Sequence, residues 1–228
     1  MSKLSFTSLL RILALCCLSL VLFSLLLTVP LRWINPPITA FILLDGEATA
    51  SQMRQHWTPL DQIDPDMPMA VVASEDQLFP THFGFDFSSI WEAIHEDDGP
   101  MRGASTLSQQ LSKNLYLWSG RSLFRKGIED WFTLLIELTW PKERILEVYL
   151  NVVEFGPGIY GIGQASETFF GKSPSQLTRY EASLLAAVLP NPKRLSAQRP
   201  SDYVYKRAYD IRNAIRYLGG PSYLAGIL

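Results

Sequence analysis

The chain has 228 residues, enough for one sizeable domain, and 47% of them are hydrophobic while 18% are charged. That hydrophobic share is high for a soluble protein. The formal net charge is −2, which excludes a global basic field of the kind that recruits nucleic acid. Any anion that this chain binds must therefore meet a local group of cations.

Residues 12–31 form a long run without any charged side chain. As a helix this run would rise about 30 Å, the thickness of a hydrocarbon core. We predict a transmembrane helix at 12–31 behind a cytoplasmic amino terminus at 1–11. A cleaved signal peptide is the alternative, but the run is longer than usual and no small-residue cleavage site directly follows it.

Basic residues flank this run unevenly. Lys3 and Arg11 precede it, whereas only Arg32 and Arg54 occur in the first few dozen residues after it. This bias favours an amino terminus inside the cell, so that everything from Trp33 onward would lie outside the plasma membrane. Both cysteines lie within the apolar run, and the domain outside would therefore form no disulfide.

Residues 32–63 are predicted to be a linker with one short extended segment. A Pro-Pro pair breaks the chain, and the apolar residues 38–44 could form an edge strand. A helix is then expected from Pro68, with Glu75 and Asp76 at its carboxyl end. Carboxylates at this end oppose the helix dipole, which is unfavourable for stability alone and hints at a function.

The segment GASTLSQQLSKN predicts a helix with a polar stripe. Thr106 and Gln109 have the spacing of a capping box. Thr106, Gln110, Lys113 and Asn114 would share one face, beside a face of leucines. Such a row suits a polyanionic or sugar-rich ligand, and an ordinary solvated helix face is the alternative.

The next helix, RKGIEDWFTLLIELTW, is predicted to run to Pro141. Its expected core face consists of Ile128, Trp131, Phe132, Leu135 and Leu138. Arg125 and Glu129 lie four residues apart, a spacing typical of a surface ion pair. The alternative is an arginine held by a carboxylate as a fixed clamp for phosphate.

The rest of the chain is also predicted to be helical. One helix covers KERILEVYLNVVEF, and a glycine-rich turn leads into a second that ends at Gly171. A further helix stops before Pro190, and the last spans about 202–218. The histidines have no metal-ligand spacing, so a zinc site is not expected.

Several segments, taken in order, together resemble one known family. They are EDQLFPTHFGFD, GASTLSQQLSKN, RKGIE, KERILEVYLNVVEFGPGIYGIGQASETFFGK and EASLLAAVLPNP. These look like the ordered motifs of the peptidoglycan glycosyltransferases, and the carboxyl-terminal part resembles the monofunctional branch. The chain contains no S-x-x-K or K-T-G motif, so we expect no transpeptidase activity.

The resemblance implies a mainly α fold. It predicts a lysozyme-like α-helical glycosyltransferase domain at residues 64–228 with a small membrane-associated lobe, preceded by one amino-terminal transmembrane helix. The implied activity is inverting transfer of a growing polyprenyl-diphosphate-linked glycan onto the 4-hydroxyl of the N-acetylglucosamine of lipid II, which forms β-1,4 bonds. The implied location is the bacterial plasma (inner) membrane.

The resemblance also implies site residues by motif match. Glu75 would be the catalytic base, because a sugar hydroxyl needs a proton acceptor to attack. Glu129, the second catalytic residue, would orient Arg125 or help to hold a divalent ion. The substrate-binding residues would be Asp76, Thr106, Gln110, Lys113, Asn114 and Arg125, with Lys113 and Arg125 on the diphosphate.

A lipid-contacting patch is predicted after the polar stripe. Its members are Leu115, Leu117, Trp118, Leu123 and Phe124, and a packed core is the alternative for them. The expected partners are lipid II, the growing glycan strand, the lipid bilayer and other cell-wall synthesis or division proteins, but no nucleic acid. No cofactor is required by the sequence, and a divalent cation, Mg²⁺ or Mn²⁺, stays open.

Two other functions are compatible with parts of this pattern. A lysozyme-like or lytic murein-cleaving enzyme would share a helical fold and a catalytic glutamate, but would not need Lys113 and Arg125 for a diphosphate. A non-catalytic scaffold of the cell-wall synthesis machinery would not depend on Glu75.

Overall fold

The computed structural model describes residues 6–45, 56–87, 105–120 and 122–228, and within these ranges the chain is mainly helical. The helices are α1 (Phe6–Thr28), α2 (Ala40–Asp45), α3 (Asp66–Glu75), α4 (Leu107–Tyr116), α5 (Leu123–Thr139), α6 (Lys142–Val152), α7 (Ile162–Phe170), α8 (Arg179–Val188) and α9 (Asp202–Tyr217). Short 3-10 helices cover Val29–Arg32, Leu60–Gln62, Pro174–Gln176 and Gly220–Leu224. Strands β1 (Glu154–Gly156) and β2 (Ile159–Tyr160) form an antiparallel pair.

The first helix is long and apolar. The stretch Phe6–Arg32 is the one candidate membrane span among the described residues, and its most apolar 18 residues have a mean hydropathy of 2.8. It contains the predicted segment 12–31 but begins earlier and includes Arg11. A single-pass anchor fits this helix, and an amino-terminal signal sequence would share its length and composition. Lys3 and Arg54 lie outside the described residues, so the orientation of the amino terminus across the membrane stays a prediction from the sequence.

The predicted edge strand at 38–44 is wrong, because most of this segment forms the short helix α2. The Thr39 hydroxyl accepts a hydrogen bond from the backbone N–H of Ile42 at 3.2 Å, and the Thr39 carbonyl accepts one from Leu43 at 3.0 Å. These contacts start a helix at a residue that commonly caps one. α2 packs against α4, and the Phe41 ring lies 5.4 Å from the Lys113 ammonium.

The core of the domain lies where α3, α8 and α9 pack together, with α4 and α6 beside them. α3 and α8 are buried on nearly all sides, as helices with almost continuous apolar sequences must be. α9 buries one stripe, formed by Val204, Ala208, Ile211 and Ile215, as its periodicity predicts. This packing holds the carboxyl end of α3 beside α4 and α9.

The predicted core face of α5 is wrong at two of its five positions. Trp131 and Leu138 are exposed, whereas Leu135 is buried as predicted, and Ile128 and Phe132 are half-buried. The buried side of the helix also carries Arg125, Glu129 and Thr133. Trp131 lies on the side where α5 contacts α1. The Trp131 ring nitrogen donates a hydrogen bond to the Ser24 hydroxyl of α1 at 3.1 Å.

The helix predicted over KERILEVYLNVVEF ends at Val152, and its last residues pass into β1. A tight turn then leads back through β2. Gly161 has a φ of +82°, and a Cβ there would lie 2.6 Å from the backbone oxygen of Asn151. Only glycine fits this position. Gly171 ends α7 in the left-handed conformation, as predicted.

Arg144 of α6 binds the segment that follows α1 to the domain. Its guanidinium donates to the carbonyl oxygens of Leu31 and Ile34, both at 3.1 Å, and to Asn35 Oδ1 at 3.0 Å. It also pairs with Glu147 Oε1 at 2.8 Å, and its side chain is 9% exposed. The charge is therefore almost fully satisfied in a buried setting.

We expect Arg144→Ala to lower the free energy of unfolding by about 3 kcal/mol, because it removes the cation paired with the partly buried Glu147 carboxylate and leaves the oxygens of Leu31, Ile34 and Asn35 without this donor. Urea unfolding of the protein in detergent micelles measures this loss. The control is Arg179→Ala, which removes a half-exposed pair with Asp66 and should cost less than about 1 kcal/mol. Equal effects of the two variants would contradict the assignment.

Candidate active site

Glu75 is the last residue of α3, and its carboxylate accepts hydrogen bonds from two other helices. Arg207 Nη2 of α9 lies 3.1 Å from Oε1, and Gln110 Nε2 of α4 lies 3.2 Å from Oε2. The side chain is 12% exposed, so the carboxylate is held in place and keeps access to solvent. A carboxylate has about four lone-pair directions, so it can still accept a further proton donor.

Asp76 has a supporting position. Its carboxylate is buried, with both oxygens 2.9 Å from His82 Nε2, and Oδ2 accepts the backbone N–H of Leu107 at 2.8 Å. The backbone N–H of Gly84 donates to His82 Nδ1 at 3.1 Å, so the neutral ring carries its proton on Nε2 and donates it to Asp76. These bonds fix the start of α4 beside the end of α3.

Thr106 also supports the start of α4. Its hydroxyl donates to the Gly84 carbonyl at 2.7 Å and caps the helix together with Gln109, which confirms the predicted capping box. Thr106 is 2% exposed. Both side chains are buried and hydrogen-bonded within the protein, and direct binding of substrate by Asp76 and Thr106 stays a prediction.

The other members of the polar stripe divide by exposure. Gln110 and Lys113 are partly exposed, whereas Asn114 is buried on the same helix. Of the predicted stripe, only Gln110 and Lys113 are therefore at the surface, on the part of α4 next to Glu75.

Lys113 lies in the field of four charged side chains. Burial lowers the pKa of its ammonium below the ordinary 10.5, and the cations of Arg125 and Lys126 act in the same direction. The carboxylates of Glu129 and Glu75 oppose this shift. Both carboxylates that the sequence singled out therefore act on the charge of Lys113.

Arg125 and Glu129 form a buried ion pair on the inner side of α5. Arg125 Nη1 lies 2.6 Å from Glu129 Oε2, and Lys126 Nζ lies 2.6 Å from Oε1 of the same carboxylate. Burial of both partners excludes the surface-pair interpretation. Among the described residues, Arg125 Nε and Arg207 Nε are buried and have no hydrogen-bond partner.

Arg207 and Lys126 belong to the same site but were not predicted from the sequence. Arg207 approaches Glu75 from a helix 132 residues further along the chain, and no local pattern indicates that contact. Lys126 adds a second cation to Glu129, and its spacing of three residues could have revealed it. We refer below to Glu75, Lys113, Arg125, Lys126, Glu129 and Arg207 as the charged cluster.

The predicted lipid-contacting patch is only partly at the surface. Leu115 and Leu117 are buried, so the prediction is wrong for these two, and they belong to the interior under α4. Trp118, Leu123 and Phe124 are exposed, Leu123 to 93%. Exposed apolar side chains continue along α5 through Trp131 and Leu138.

A resident divalent ion fits the described residues poorly. Nowhere in the described residues do three or more His, Cys, Asp or Glu side chains lie close enough together to hold a metal ion. Glu129, the residue suggested for this role, already has an Arg and a Lys at 2.6 Å on its two oxygens. A metal ion at Glu129 would either displace these two cations or lie close to them and be repelled by their positive charge.

The helical domain brings the Glu75 carboxylate and several cations together, and an apolar helix precedes it. Residues 45–216 match the family model described as Transglycosylase, and the chain belongs to this family of glycosyltransferases. Its mainly helical structure is the lysozyme-like fold that the sequence predicted.

Three of its relatives carry the name biosynthetic peptidoglycan transglycosylase. The protein from Shewanella oneidensis is 54% identical over 201 residues, 86% of each chain. The one from Pseudomonas syringae pv. syringae is 51% identical over 213 residues, 90% of this chain and 89% of the relative. A third, from Xanthomonas campestris pv. campestris, is 50% identical over 210 residues, 88% of this chain and 85% of the relative.

Proposed function

We propose that this enzyme polymerises the glycan strands of peptidoglycan from lipid II. The donor is the growing glycan on its polyprenyl diphosphate, and the acceptor is the 4-hydroxyl of the N-acetylglucosamine of lipid II. The observation that carries the proposal is the charged cluster, which joins one accessible carboxylate to several fixed cations. The names of the relatives, over most of both chains, support the same substrate class.

Glu75 is the proposed base. Its carboxylate takes the proton of the acceptor hydroxyl while the acceptor oxygen bonds to the anomeric carbon of the donor. The bond from that carbon to the diphosphate oxygen breaks on the opposite side, and the configuration inverts from α to β. Arg207 and Gln110 keep the carboxylate in one orientation, which limits the reorganisation needed for the transfer.

The cations of the charged cluster would stabilise the leaving diphosphate. A diphosphate is already a stable anion, so it requires stabilisation of charge more than a proton from an acid. We assign the diphosphate to Lys113 and Arg125, with Asn114 beside them on α4. Glu129 holds Arg125 and Lys126 in fixed positions, and Nε of Arg125 is buried without a hydrogen-bond partner among the described residues.

We further propose a single-pass topology in the bacterial plasma membrane, with the amino terminus in the cytoplasm and the catalytic domain outside. α1 would cross the bilayer, and the exposed side chains of Trp118, Leu123, Phe124 and the outer face of α5 would contact lipid. This position brings the charged cluster to a substrate whose tail stays in the membrane. Other cell-wall synthesis proteins are proposed partners on the same membrane.

The test is an incubation of the purified full chain in lipid vesicles with labelled lipid II, and separately with preformed peptidoglycan. The proposal predicts polymer from lipid II and no fragments from peptidoglycan. Fragments without polymer would establish the lytic alternative, and no reaction on either substrate would favour a scaffold. A parallel incubation with a chelator measures whether Mg²⁺ or Mn²⁺ is needed.

The lowered pKa of Lys113 predicts where activity falls at alkaline pH. Deprotonation removes the charge proposed to bind the diphosphate, so the rate should fall at a lower pH than an ordinary lysine, with its pKa of 10.5, would give. Initial rates between neutral and alkaline pH measure this limb. Lys113→Arg, which keeps its charge throughout this range, should move the fall to higher pH.

The fall of the reaction rate at alkaline pH can be distinguished from unfolding of the protein. Because the folded pKa of Lys113 is lowered, the unfolded chain binds more protons between that pKa and 10.5. The contribution of this group to the free energy of unfolding therefore rises with pH in that window. Circular dichroism at each pH supplies the control, and a loss of helical signal that parallels the loss of rate would contradict the interpretation.

A further inference from the structure

Tyr149 is a fully buried residue of α6 whose hydroxyl reaches the active site. The hydroxyl oxygen lies 2.9 Å from Gln110 Oε1. Burial raises the pKa of this phenol well above its ordinary value, and the negative charges of Glu75 and Asp76 act in the same direction. Tyr149 is therefore a neutral hydrogen-bond donor throughout the working range of the protein.

The orientation of the Gln110 amide follows from its two partners. The Glu75 carboxylate can only accept hydrogen bonds, so it requires the NH₂ end of the amide. The second hydrogen of that NH₂ group has the Ser105 carbonyl at 3.4 Å. The amide oxygen then faces Tyr149, whose hydroxyl donates to it. A flipped amide would place its oxygen against the carboxylate of Glu75.

We propose that Tyr149 is a positioning residue of the active site, which acts through Gln110 by holding the amide with its NH₂ group towards Glu75. The proposal rests on the proposed function, because it concerns the base of that reaction. The chain of contacts runs from the Tyr149 hydroxyl to Gln110 Oε1, and from Gln110 Nε2 to Glu75 Oε2 at 3.2 Å. Hydrogen bonds in such a series reinforce one another.

The contribution of the Tyr149 ring to packing can be separated from the role of its hydroxyl in holding the Gln110 amide. Phenylalanine has the same ring and would fill the same space in the core, so Tyr149→Phe removes little besides the hydroxyl. The variant leaves the amide oxygen of Gln110 without its donor. The amide can then rotate, and Glu75 loses a fixed partner on one oxygen.

The first test is a double-mutant cycle of Tyr149→Phe and Gln110→Ala, read as kcat and KM for polymerisation of lipid II. We expect Tyr149→Phe to lower kcat about 5- to 20-fold and to change KM less than about twofold. In the Gln110→Ala background the same change should cost less than about twofold, because its route to Glu75 is gone. An unchanged kcat in Tyr149→Phe, or the same loss in both backgrounds, would overturn the proposal.

The matched control is Tyr116→Phe. Tyr116 is a half-buried tyrosine outside the site, whose hydroxyl donates to the carbonyl of Leu27 on α1 at 3.5 Å and whose ring stacks on Phe132. We expect this variant to keep the kcat of the original protein. A loss equal to that of Tyr149→Phe would show that any removed phenol hydroxyl slows the enzyme, and would overturn the specific role of Tyr149.

A second measurement does not depend on polymerisation. The side-chain NH₂ resonances of Gln110, followed by nuclear magnetic resonance, report whether the amide is fixed. In Tyr149→Phe these resonances should shift and broaden, whereas Tyr116→Phe should leave them unchanged. Unchanged resonances in Tyr149→Phe would overturn the proposal. If the original protein makes no polymer, the proposed function fails and this readout still decides the role of Tyr149.

Discussion

Glu75→Gln is expected to abolish glycan synthesis while lipid II still binds. Glutamine preserves the shape of the side chain, and its oxygen can still accept a hydrogen bond from Arg207 or Gln110, but it cannot take a proton from the acceptor hydroxyl. Loss of a positioned base typically slows a reaction on the order of 10²- to 10⁴-fold. Polymer length on gels and binding of labelled lipid II to the same preparation measure the two effects separately.

The matched control for this change is Glu143→Gln on the first turn of α6, an exposed glutamate outside the charged cluster. It should polymerise lipid II at the original rate. Retained synthesis by Glu75→Gln would remove Glu75 as the base, whatever the behaviour of the control. A loss of lipid II binding in Glu75→Gln would instead assign the residue to substrate affinity.

Lys113→Ala should lower turnover on the order of 10²- to 10³-fold and leave the fold intact. The Lys113 ammonium is already partly desolvated in the folded protein. The free-energy cost of removing its water therefore falls on folding and does not raise the activation free energy of the transfer. Deleting the ammonium removes a fixed charge from the proposed diphosphate site. Its neighbour Glu129 keeps Arg125 and Lys126 as partners, so the cluster should persist.

Initial rates at saturating lipid II, together with a thermal melt, measure this prediction. Lys206→Ala on the exposed side of α9 removes an equal charge away from the cluster and is the control. Near-normal polymerisation by Lys113→Ala would refute the assigned role. A melting temperature lowered as far as in a core variant would show that the lysine supports the fold instead.

Local features of the fold were predictable because local chemistry determines them. The capping box of Thr106 and Gln109, the left-handed Gly171 and the buried stripe of α9 all depend on residues within a few positions of one another. The same is true of the end of α3, which places Glu75 and Asp76 where the sequence predicted them.

The inner and outer faces of α5 were not predictable by the same reasoning. Helical periodicity separates an apolar stripe from a polar one, but it assigns the apolar stripe to the core only when the surroundings are water. Here the buried side of α5 carries Arg125 and Glu129 of the charged cluster together with Leu135, while Trp131 and Leu138 are exposed. Trp131 contacts the apolar helix α1, which helical periodicity alone does not reveal.

Long-range contacts account for the rest of what the sequence did not provide. Arg207 and Tyr149 reach Glu75 and Gln110 only because the core packs α9 and α6 against α3 and α4. The short helix α2, misread as a strand, brings Phe41 beside Lys113 in the same way. Motif reasoning identified the residues proposed to react, and the three-dimensional packing identified those that hold them.

The most direct test of the account is the anomeric configuration of the bond that the enzyme forms. Nuclear magnetic resonance of the polymer made from lipid II by the purified protein measures it. A single displacement with Glu75 as base opposite a departing diphosphate predicts β-1,4 bonds from the α-linked donor. Retained α bonds would require a covalent glycosyl intermediate, and would contradict the role of Glu75 as a base in a one-step transfer.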